Sequence, residues 1–138
     1  MSVIVDTTIW SLAFRRKKPV ESPVVDELSR LIHARAAILL GNVRQEILSG
    51  LADDTAFERV RTGLRVFPNF ALEIDDFERA AEFDNICRRH GVQGSPTDLL
   101  MCAVAERRDL SIFTTDKDFL HYSQHVPVSL HMQDLMRS

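Results

Sequence analysis

Four acidic residues lie far apart in the 138-residue sequence, and each is placed beside an apolar segment. Asp6 and Asp116 come just after short apolar runs that predict buried strands, whereas Asp98 and Glu46 are expected in the first turn of predicted helices. The carboxyl ends of parallel strands and the starts of the helices that follow them meet at one edge of a sheet. In such a sheet we expect the four carboxylates to converge.

A cluster of carboxylates needs a cation. Two carboxylates about 4 Å apart repel each other by roughly 4 kcal/mol at an effective dielectric constant near 20, so without a cation they would protonate or move apart. Oxygen ligands favour a hard ion such as Mg²⁺ or Mn²⁺. Such an ion can lower the pKa of a bound water, orient an in-line attack and stabilise charge on phosphoryl oxygens. The acids therefore predict a metal site suited to phosphodiester hydrolysis.

Each acid also has an ordinary structural explanation. Asp98 could simply complete the N-terminal cap of the helix that follows Ser95, and Asp116 could cap the next short helix. Glu46 could be a surface acid of its helix. Asp6 has no equally obvious capping role, so it is the hardest of the four to explain without chemistry.

The predicted elements that would position the acids alternate between strand and helix. The strands are expected at residues 3–6, 36–40, 110–113 and 126–130, with a further short strand within 66–74. The helices are expected to begin at or near Ile9, Ser22, Asn42, Asp53 or Asp54, Asp75, Ser95 and Phe119, with Asp75 and Glu78 forming a capping box. Because segments of crossover length separate the strands, the pattern predicts an α/β fold in which a central parallel sheet is flanked by helices on both faces.

Length and composition predict one domain, residues 1–138, with a substantial core, since 45% of the residues are hydrophobic. No apolar run approaches the roughly 18 residues that span a bilayer, and the N-terminus lacks a basic leader followed by an apolar stretch. We therefore expect a soluble cytoplasmic protein without a membrane contact. Cys87 and Cys102 fall on apolar helical patterns, which favours reduced core thiols. The net charge of −3 argues against a protein that coats nucleic acid non-specifically.

Four short stretches, taken in order, resemble the PIN-domain ribonucleases. They are Val-Asp-Thr-Thr-Ile-Trp at residues 5–10, Glu46 on the helix after the second strand, Thr-Asp-Leu-Leu-Met-Cys-Ala at 97–103 and Thr-Thr-Asp-Lys-Asp-Phe at 114–119. Within that family the pattern is similar to the VapC-type toxins of bacterial toxin–antitoxin pairs. Each stretch is short, but the order and spacing of the acids agree across nearly the whole chain.

The resemblance implies an endoribonuclease that depends on Mg²⁺ or Mn²⁺, forms a homodimer and is neutralised by a small antitoxin whose tail occupies the active site. Carried onto this sequence, it makes Asp6 and Asp98 the principal metal ligands, and Glu46 and Asp116 complete the acidic cluster. It also implies supporting residues: Thr7 and Thr114, whose hydroxyls would hold a carboxylate or a water, and Asp118 as a further acid.

A basic cluster follows the first predicted helix and consists of Arg15, Arg16, Lys17 and Lys18. Because this cluster is near Asp6 in the sequence, we hypothesise that its side chains contact the phosphates of an RNA substrate.

Two other functions remain open. A phosphatase of the haloacid dehalogenase type also begins with a strand that ends in Asp and uses Mg²⁺, but it needs a second Asp two residues later, where this sequence has Thr8. The same fold could also serve as a non-catalytic module that binds RNA or a protein. The presence of all four acids argues against such a decayed site.

Overall fold

Four short parallel strands form the sheet at the centre of the protein, which is described by a computed structural model over residues 1–18 and 20–133. The strands are β1 (Val3–Val5), β2 (Ala37–Ile38), β3 (Ser111–Phe113) and β4 (Ser129–Leu130). Their order in the sheet is β2-β1-β3-β4, so β1 and β3 lie side by side in the middle. All three strand pairs are parallel, as the alternation of elements predicts.

Seven helices connect or flank the strands within the described part of the chain. They are α1 (Thr7–Phe14), α2 (Pro23–His33), α3 (Gly41–Leu48), α4 (Asp54–Leu64), α5 (Ile74–Arg89), α6 (Pro96–Arg107) and α7 (Asp118–Tyr122). The chain leaves β1 toward β2 on one side of the sheet and later returns to β3 on the other. Because parallel crossovers are right-handed, this reversal places helices on both faces, which confirms the predicted α/β architecture.

Helix α6 is the most deeply buried element. Its seven consecutive residues 99–105 are all buried, and it packs against α5. A helix that is apolar on all sides is typical of the interior of an α/β domain. The helix begins as predicted, because the hydroxyl of Ser95 accepts a hydrogen bond from the backbone N–H of Asp98 at 3.1 Å and Pro96 follows. Cys87 and Cys102 are buried free thiols, as expected.

Several predicted helix ends are also confirmed. Ser22 caps α2 and Asp53 caps α4, each through a side-chain oxygen that accepts a backbone N–H. Helix α5 ends at Arg89 and is followed by Gly91 at φ +75°. The N–H of Val92 donates to the carbonyl of Cys87 at 2.9 Å. This is the Schellman arrangement that a glycine after the last helical residue favours.

The expected strand within residues 66–74 is wrong. Residues 65–73 form turns and irregular backbone. Pro68 lacks the N–H that a strand ladder needs, and the segment is held by a side chain instead. The guanidinium of Arg44 donates to the carbonyls of Leu64 and Phe67, each at 2.9 Å. The second and fourth strands are also shorter than expected, with two residues each.

Two helix starts differ from the predictions. Helix α3 begins at Gly41 with Leu40 as its N-cap residue, so Asn42 lies inside the first turn rather than at the cap. Helix α5 begins at Ile74, and its N-terminal hydrogen bond is made by Asp76, whose carboxylate accepts the N–H of Glu73 at 2.7 Å. The expected capping box of Asp75 and Glu78 is therefore wrong.

A buried ion cluster explains why Asp76 has this place. Its side chain is fully buried, and both its oxygens contact arginines from the end of α6. The guanidinium of Arg108, more than that of Arg107, holds the pKa of Asp76 well below its usual value. The cluster joins the start of α5 to the end of α6.

No helix among the described residues has the length and apolar character needed to cross a membrane.

Candidate active site

Asp6 lies where β1 ends, beside the end of β3. Its backbone N–H donates to the carbonyl of Phe113 at 2.9 Å, so Thr114, the residue that follows β3, is its neighbour at the edge of the sheet. The Thr114 hydroxyl donates to Oδ2 of Asp6 at 2.7 Å, and the Thr8 hydroxyl donates to the same oxygen at 3.1 Å. The N–H of Thr7 donates to Oδ1 at 2.7 Å. The carboxylate is therefore fixed in one orientation.

Asp6 also caps helix α1, a role that is less obvious from the sequence than the capping roles of the other acids. The chain enters α1 at Thr7 with no intervening loop, so the residue that ends the strand is also the N-cap residue. Burial raises the pKa of the Asp6 carboxyl above its ordinary value, even though its hydrogen bonds act in the opposite direction. Capping and metal binding are compatible here, because each carboxylate oxygen has two lone pairs.

Asp98 lies in the first turn of α6 and faces the same space. Its Oδ2 accepts a hydrogen bond from the hydroxyl of Tyr122 in α7 at 2.9 Å. Burial is the main reason that the pKa of Asp98 is raised to about 6, and the nearby charges of Asp6 and Asp116 raise it further. No sequence pattern indicates the contact with Tyr122, because α7 has only five residues and its apolar spacing does not define a face.

Asp116 and Asp118 join Asp98 in a compact group. Each of the three can place a carboxylate oxygen within 4.8 Å of the other two. Asp116 is held locally, since its N–H donates to the Thr114 hydroxyl at 3.0 Å and its Oδ1 accepts the N–H of Asp118 at 2.9 Å. The N-cap residue of α7 is Lys117, so Asp116 is not the cap residue of that helix. Its carboxylate nevertheless accepts the N–H of Asp118, the first residue of α7.

Glu46 lies on α3 and lines the same cleft. It is the sixth residue of that helix, so the expectation that it lies in the first turn is wrong. The hydroxyl of Thr7 donates to Oε1 of Glu46 at 2.7 Å, which ties the carboxylate to the start of α1. Glu46 is more exposed than Asp6 and Asp98. Glu46 and Asp6 both line the cleft but lie outside the group of three acids. The two hydroxyls expected beside the acids thus each hold a carboxylate, Thr7 that of Glu46 and Thr114 that of Asp6.

All these acids line one open cleft of about 730 Å³. The cleft also has neutral polar residues that the sequence does not single out: Asn42, Gln45, Ser49, Ser95 and Thr97. No Lys or Arg is among the described residues that line it. Its donor set is therefore hydroxyl, amide and carboxylate oxygen, which fits a hard divalent ion such as Mg²⁺ or Mn²⁺. Three carboxylates in contact range without a neighbouring basic side chain favour such an ion strongly.

The basic cluster of Arg15 to Lys18 does not line this cleft. It follows the C-terminal end of α1, whereas Asp6 is at the N-terminal end, and eight helical residues separate the two by about 12 Å. The basic cluster is therefore near Asp6 in the sequence but does not contact the acids.

Comparison with known proteins agrees with this geometry. The chain matches the model of the PIN domain family over residues 3–124. Among solved structures it is similar to a toxin–antitoxin complex from Klebsiella pneumoniae, with 20% identity, a TM-score of 0.61 and coverage of 86% of this chain and 90% of that one. No curated protein matches the chain.

Two further solved structures have the same fold. VapBC2 from Rickettsia felis, bound to a DNA fragment from its promoter, has 14% identity, a TM-score of 0.71 and coverage of 95% and 98% of the two chains. VapC20 from Mycobacterium tuberculosis, a toxin that cleaves the sarcin–ricin loop, has 18% identity, a TM-score of 0.63 and coverage of 92% and 98%. Since the family match spans most of the chain and the sheet brings its acids to one edge, the protein belongs to the PIN domain family.

Proposed function

We propose that this protein is a metal-dependent endoribonuclease and the toxin of a type II toxin–antitoxin pair of the VapC type. The observation that carries the proposal is the convergence of Asp98, Asp116 and Asp118 within 4.8 Å, in a cleft that Asp6 and Glu46 also line. Carboxylates at the carboxyl edge of a parallel sheet occupy the usual position of a ligand site in this fold class.

In this proposal Asp6 and Asp98 are the principal ligands of Mg²⁺ or Mn²⁺, and Glu46 and Asp116 complete the cluster. A divalent ion held by these residues would activate a water for attack on the phosphodiester and would offset the charge that develops on the phosphoryl oxygens. The chain's own contribution is orientation, because the hydroxyls of Thr8 and Thr114 hold one oxygen of Asp6. Asp118 supports the cluster from the start of α7.

The partners are proposed from the similar structures. The Klebsiella pneumoniae structure is a toxin–antitoxin complex, and VapC20 is a toxin that cleaves the sarcin–ricin loop. We propose that this chain likewise cleaves an RNA and is neutralised by a cognate antitoxin. We also propose that it forms a homodimer and acts in the cytoplasm, where its RNA substrate is found.

The test is cleavage of end-labelled, structured RNAs by purified, antitoxin-free protein in Mg²⁺ or Mn²⁺. We expect discrete cuts that disappear in EDTA and return when Mn²⁺ is added in excess. RNA binding without cleavage in either metal would favour the non-catalytic module. A covalent phosphate on Asp6 would favour the phosphatase, although Thr8 stands where that family has its second acid and donates its hydroxyl to Asp6 instead.

The Thr114→Val variant tests the orientation of Asp6. Valine has nearly the same shape but removes the donor to Oδ2 of Asp6 and the acceptor for the N–H of Asp116. Loss of a partner behind a metal ligand typically costs about tenfold or more in activity, so we expect kcat to fall by about tenfold. The matched control is Thr115→Val, which changes the adjacent residue in the same way. Equal activity of the two variants would contradict the orienting role.

The basic cluster can be tested by charge reversal. The double variant Lys17→Glu, Lys18→Glu should weaken RNA binding by about tenfold at low salt and reduce its salt dependence, because each phosphate contact releases counterions. The control is the reversal of two other basic residues, Arg61→Glu in the last turn of α4 and Arg65→Glu just after that helix. Binding would be measured by fluorescence anisotropy in EDTA, where cleavage is absent. Unchanged affinity of the first variant would exclude the cluster from the RNA interface.

A further inference from the structure

Tyr122, the one tyrosine in the sequence, is buried at the end of α7 with only its hydroxyl directed to the acids. That hydroxyl donates to Oδ2 of Asp98 at 2.9 Å. The ring packs edge-on against Phe119, with ring centroids 5.2 Å apart and an angle of 77° between the planes. The side chain therefore links the apolar core beneath α7 to one carboxylate of the cleft.

Gly94, just before α6, lies close to the Tyr122 ring and to the side chain of Leu99. A Cβ atom added at Gly94 would lie 2.9 Å from Cδ1 of Leu99 and 3.2 Å from Cε1 of Tyr122. An alanine at this position would therefore press on the end of the Leu99 side chain and would require the Tyr122 ring to shift by a few tenths of an ångström. Leu99 is itself buried and follows Asp98 directly, so the ring is enclosed by the same stretch of chain that carries the carboxylate.

We propose that Tyr122 is a positioning residue for Asp98 and that Gly94 positions Tyr122. The inference rests on the proposed function, since it requires Asp98 to bind a divalent ion. The terminal torsion of an aspartate is broad, so a carboxylate without a fixed partner samples many orientations. A donor on Oδ2 removes that freedom and leaves Oδ1 available to the ion. Partners of this kind behind a metal ligand typically contribute about 10- to 100-fold in metal affinity.

The competing explanation is that Tyr122 only fills the core and that its hydroxyl is satisfied by the nearest acceptor. The two explanations differ in what the loss of one oxygen atom does. If Tyr122 only fills space, Tyr122→Phe keeps the ring and leaves metal affinity unchanged. If it positions Asp98, the same variant weakens metal binding while the fold persists.

The experiment measures Mn²⁺ binding to the RNA-free protein by electron paramagnetic resonance of the unbound ion. For Tyr122→Phe we expect affinity about tenfold weaker than that of the wild type. The kcat for RNA cleavage at fixed, subsaturating Mn²⁺ should fall while KM for RNA stays the same, and excess Mn²⁺ should restore most of the rate. The matched control is Ser123→Ala, because the Ser123 hydroxyl donates to the carbonyl of Leu120 at 3.0 Å and not to an acid. Thermal melting would verify that each variant folds.

Gly94→Ala gives an independent test, because it keeps the tyrosine hydroxyl but crowds Leu99 and the ring that carries the hydroxyl. We expect weaker Mn²⁺ binding in the same direction, with Gly41→Ala as the control, since a Cβ atom at Gly41 would meet nothing within 4 Å. Equal Mn²⁺ affinity of Tyr122→Phe and the wild type would overturn the inference while leaving the proposed function intact. A wild-type protein that neither binds Mn²⁺ nor cleaves RNA would overturn the proposed function and this inference with it.

Discussion

The Asp98→Asn variant is expected to lose RNA cleavage by about a thousandfold or more while folding as well as the wild type. The change removes one charged ligand from the group of Asp98, Asp116 and Asp118 and keeps the shape of the side chain. A metal ion contributes several kcal/mol to stabilising charge in the transition state, and each 1.36 kcal/mol is about tenfold in rate. Single-turnover cleavage of an end-labelled RNA in Mn²⁺ measures the loss.

Although it loses activity, the same variant should be more stable than the wild type. Burial raises the pKa of Asp98 to about 6, so the folded protein disfavours its charged form at pH 7. A carboxyl whose pKa is higher in the folded state than in the unfolded state lowers stability as the pH rises from about 4 to about 6. An asparagine removes this cost and still accepts the hydroxyl of Tyr122. In EDTA at pH 7 we expect the variant to gain about 1 kcal/mol in the free energy of unfolding.

Asp109→Asn is the matched control for both measurements. Asp109 is exposed just after the other end of α6 and has a φ of +53°, a conformation that asparagine also tolerates. We expect neither its cleavage rate nor its stability to change. If Asp98→Asn cleaved RNA at the rate of this control, Asp98 would not be a ligand of the active metal. If it were less stable than the control in EDTA, the burial of a charged Asp98 carboxylate would not be a cost to the fold.

The Asp76→Ala variant is expected to lose about 3–5 kcal/mol of the free energy of unfolding, the range for removing one partner of a buried ion pair. It leaves the guanidiniums of Arg107 and Arg108, each 2.6 Å from Oδ1 of Asp76, without their buried acceptor. It also leaves the N–H of Glu73 without its 2.7 Å partner at the start of α5. Urea denaturation followed by circular dichroism measures the loss.

The adjacent acid provides the control for this prediction. Asp75 is 71% exposed and lies 3.5 Å from a nitrogen of Arg107, so Asp75→Ala should change stability by less than about 1 kcal/mol. The pKa of Asp76 is lowered mainly by Arg108, so its contribution to stability is complete above the unfolded pKa of about 4 and is lost as the pH falls below it. Wild-type stability should therefore fall more steeply than that of Asp76→Ala as the pH is lowered from about 4 to about 2. Equal stability losses from Asp75→Ala and Asp76→Ala would exclude the buried cluster as a main support of the fold.

The sequence was most informative where an acidic residue directly follows a predicted strand. A buried apolar run that ends in a polar residue marks the edge of a parallel sheet, and this rule placed Asp6 and Asp116 without knowledge of the strand order. The helix start at Ser95 likewise placed Asp98, because a cap and a following proline define the first turn. Local signals were sufficient in these cases because each one fixes a backbone position near its own residue.

The features that the sequence did not reveal depend on distant partners. Tyr122 reaches Asp98 across 24 residues of chain, and the orientation of a five-residue helix is set by packing rather than by its own pattern. Asp76 binds two arginines that lie 31 and 32 residues later in the sequence. Capping rules use only nearby residues, so they could not show which acid at the start of α5 makes the N-terminal hydrogen bond. The segment 65–73 resembles a strand in composition, but it pairs with no strand. Arg44 donates to the carbonyl of Phe67 within it and to that of Leu64 just before it.

The pairing of β1 with β3 has a consequence for how the chain can change in length. Val5 is paired with Phe113, so the next residues, Asp6 and Thr114, meet across the sheet and form a 2.7 Å hydrogen bond. Deleting or inserting one residue in either strand would shift that register and turn the next side chain to the other face. The irregular segment 65–73 is under no such constraint, because no strand pairing passes through it. Insertions and deletions should therefore be tolerated in the connections and excluded from the two three-residue strands, however much else in the sequence diverges.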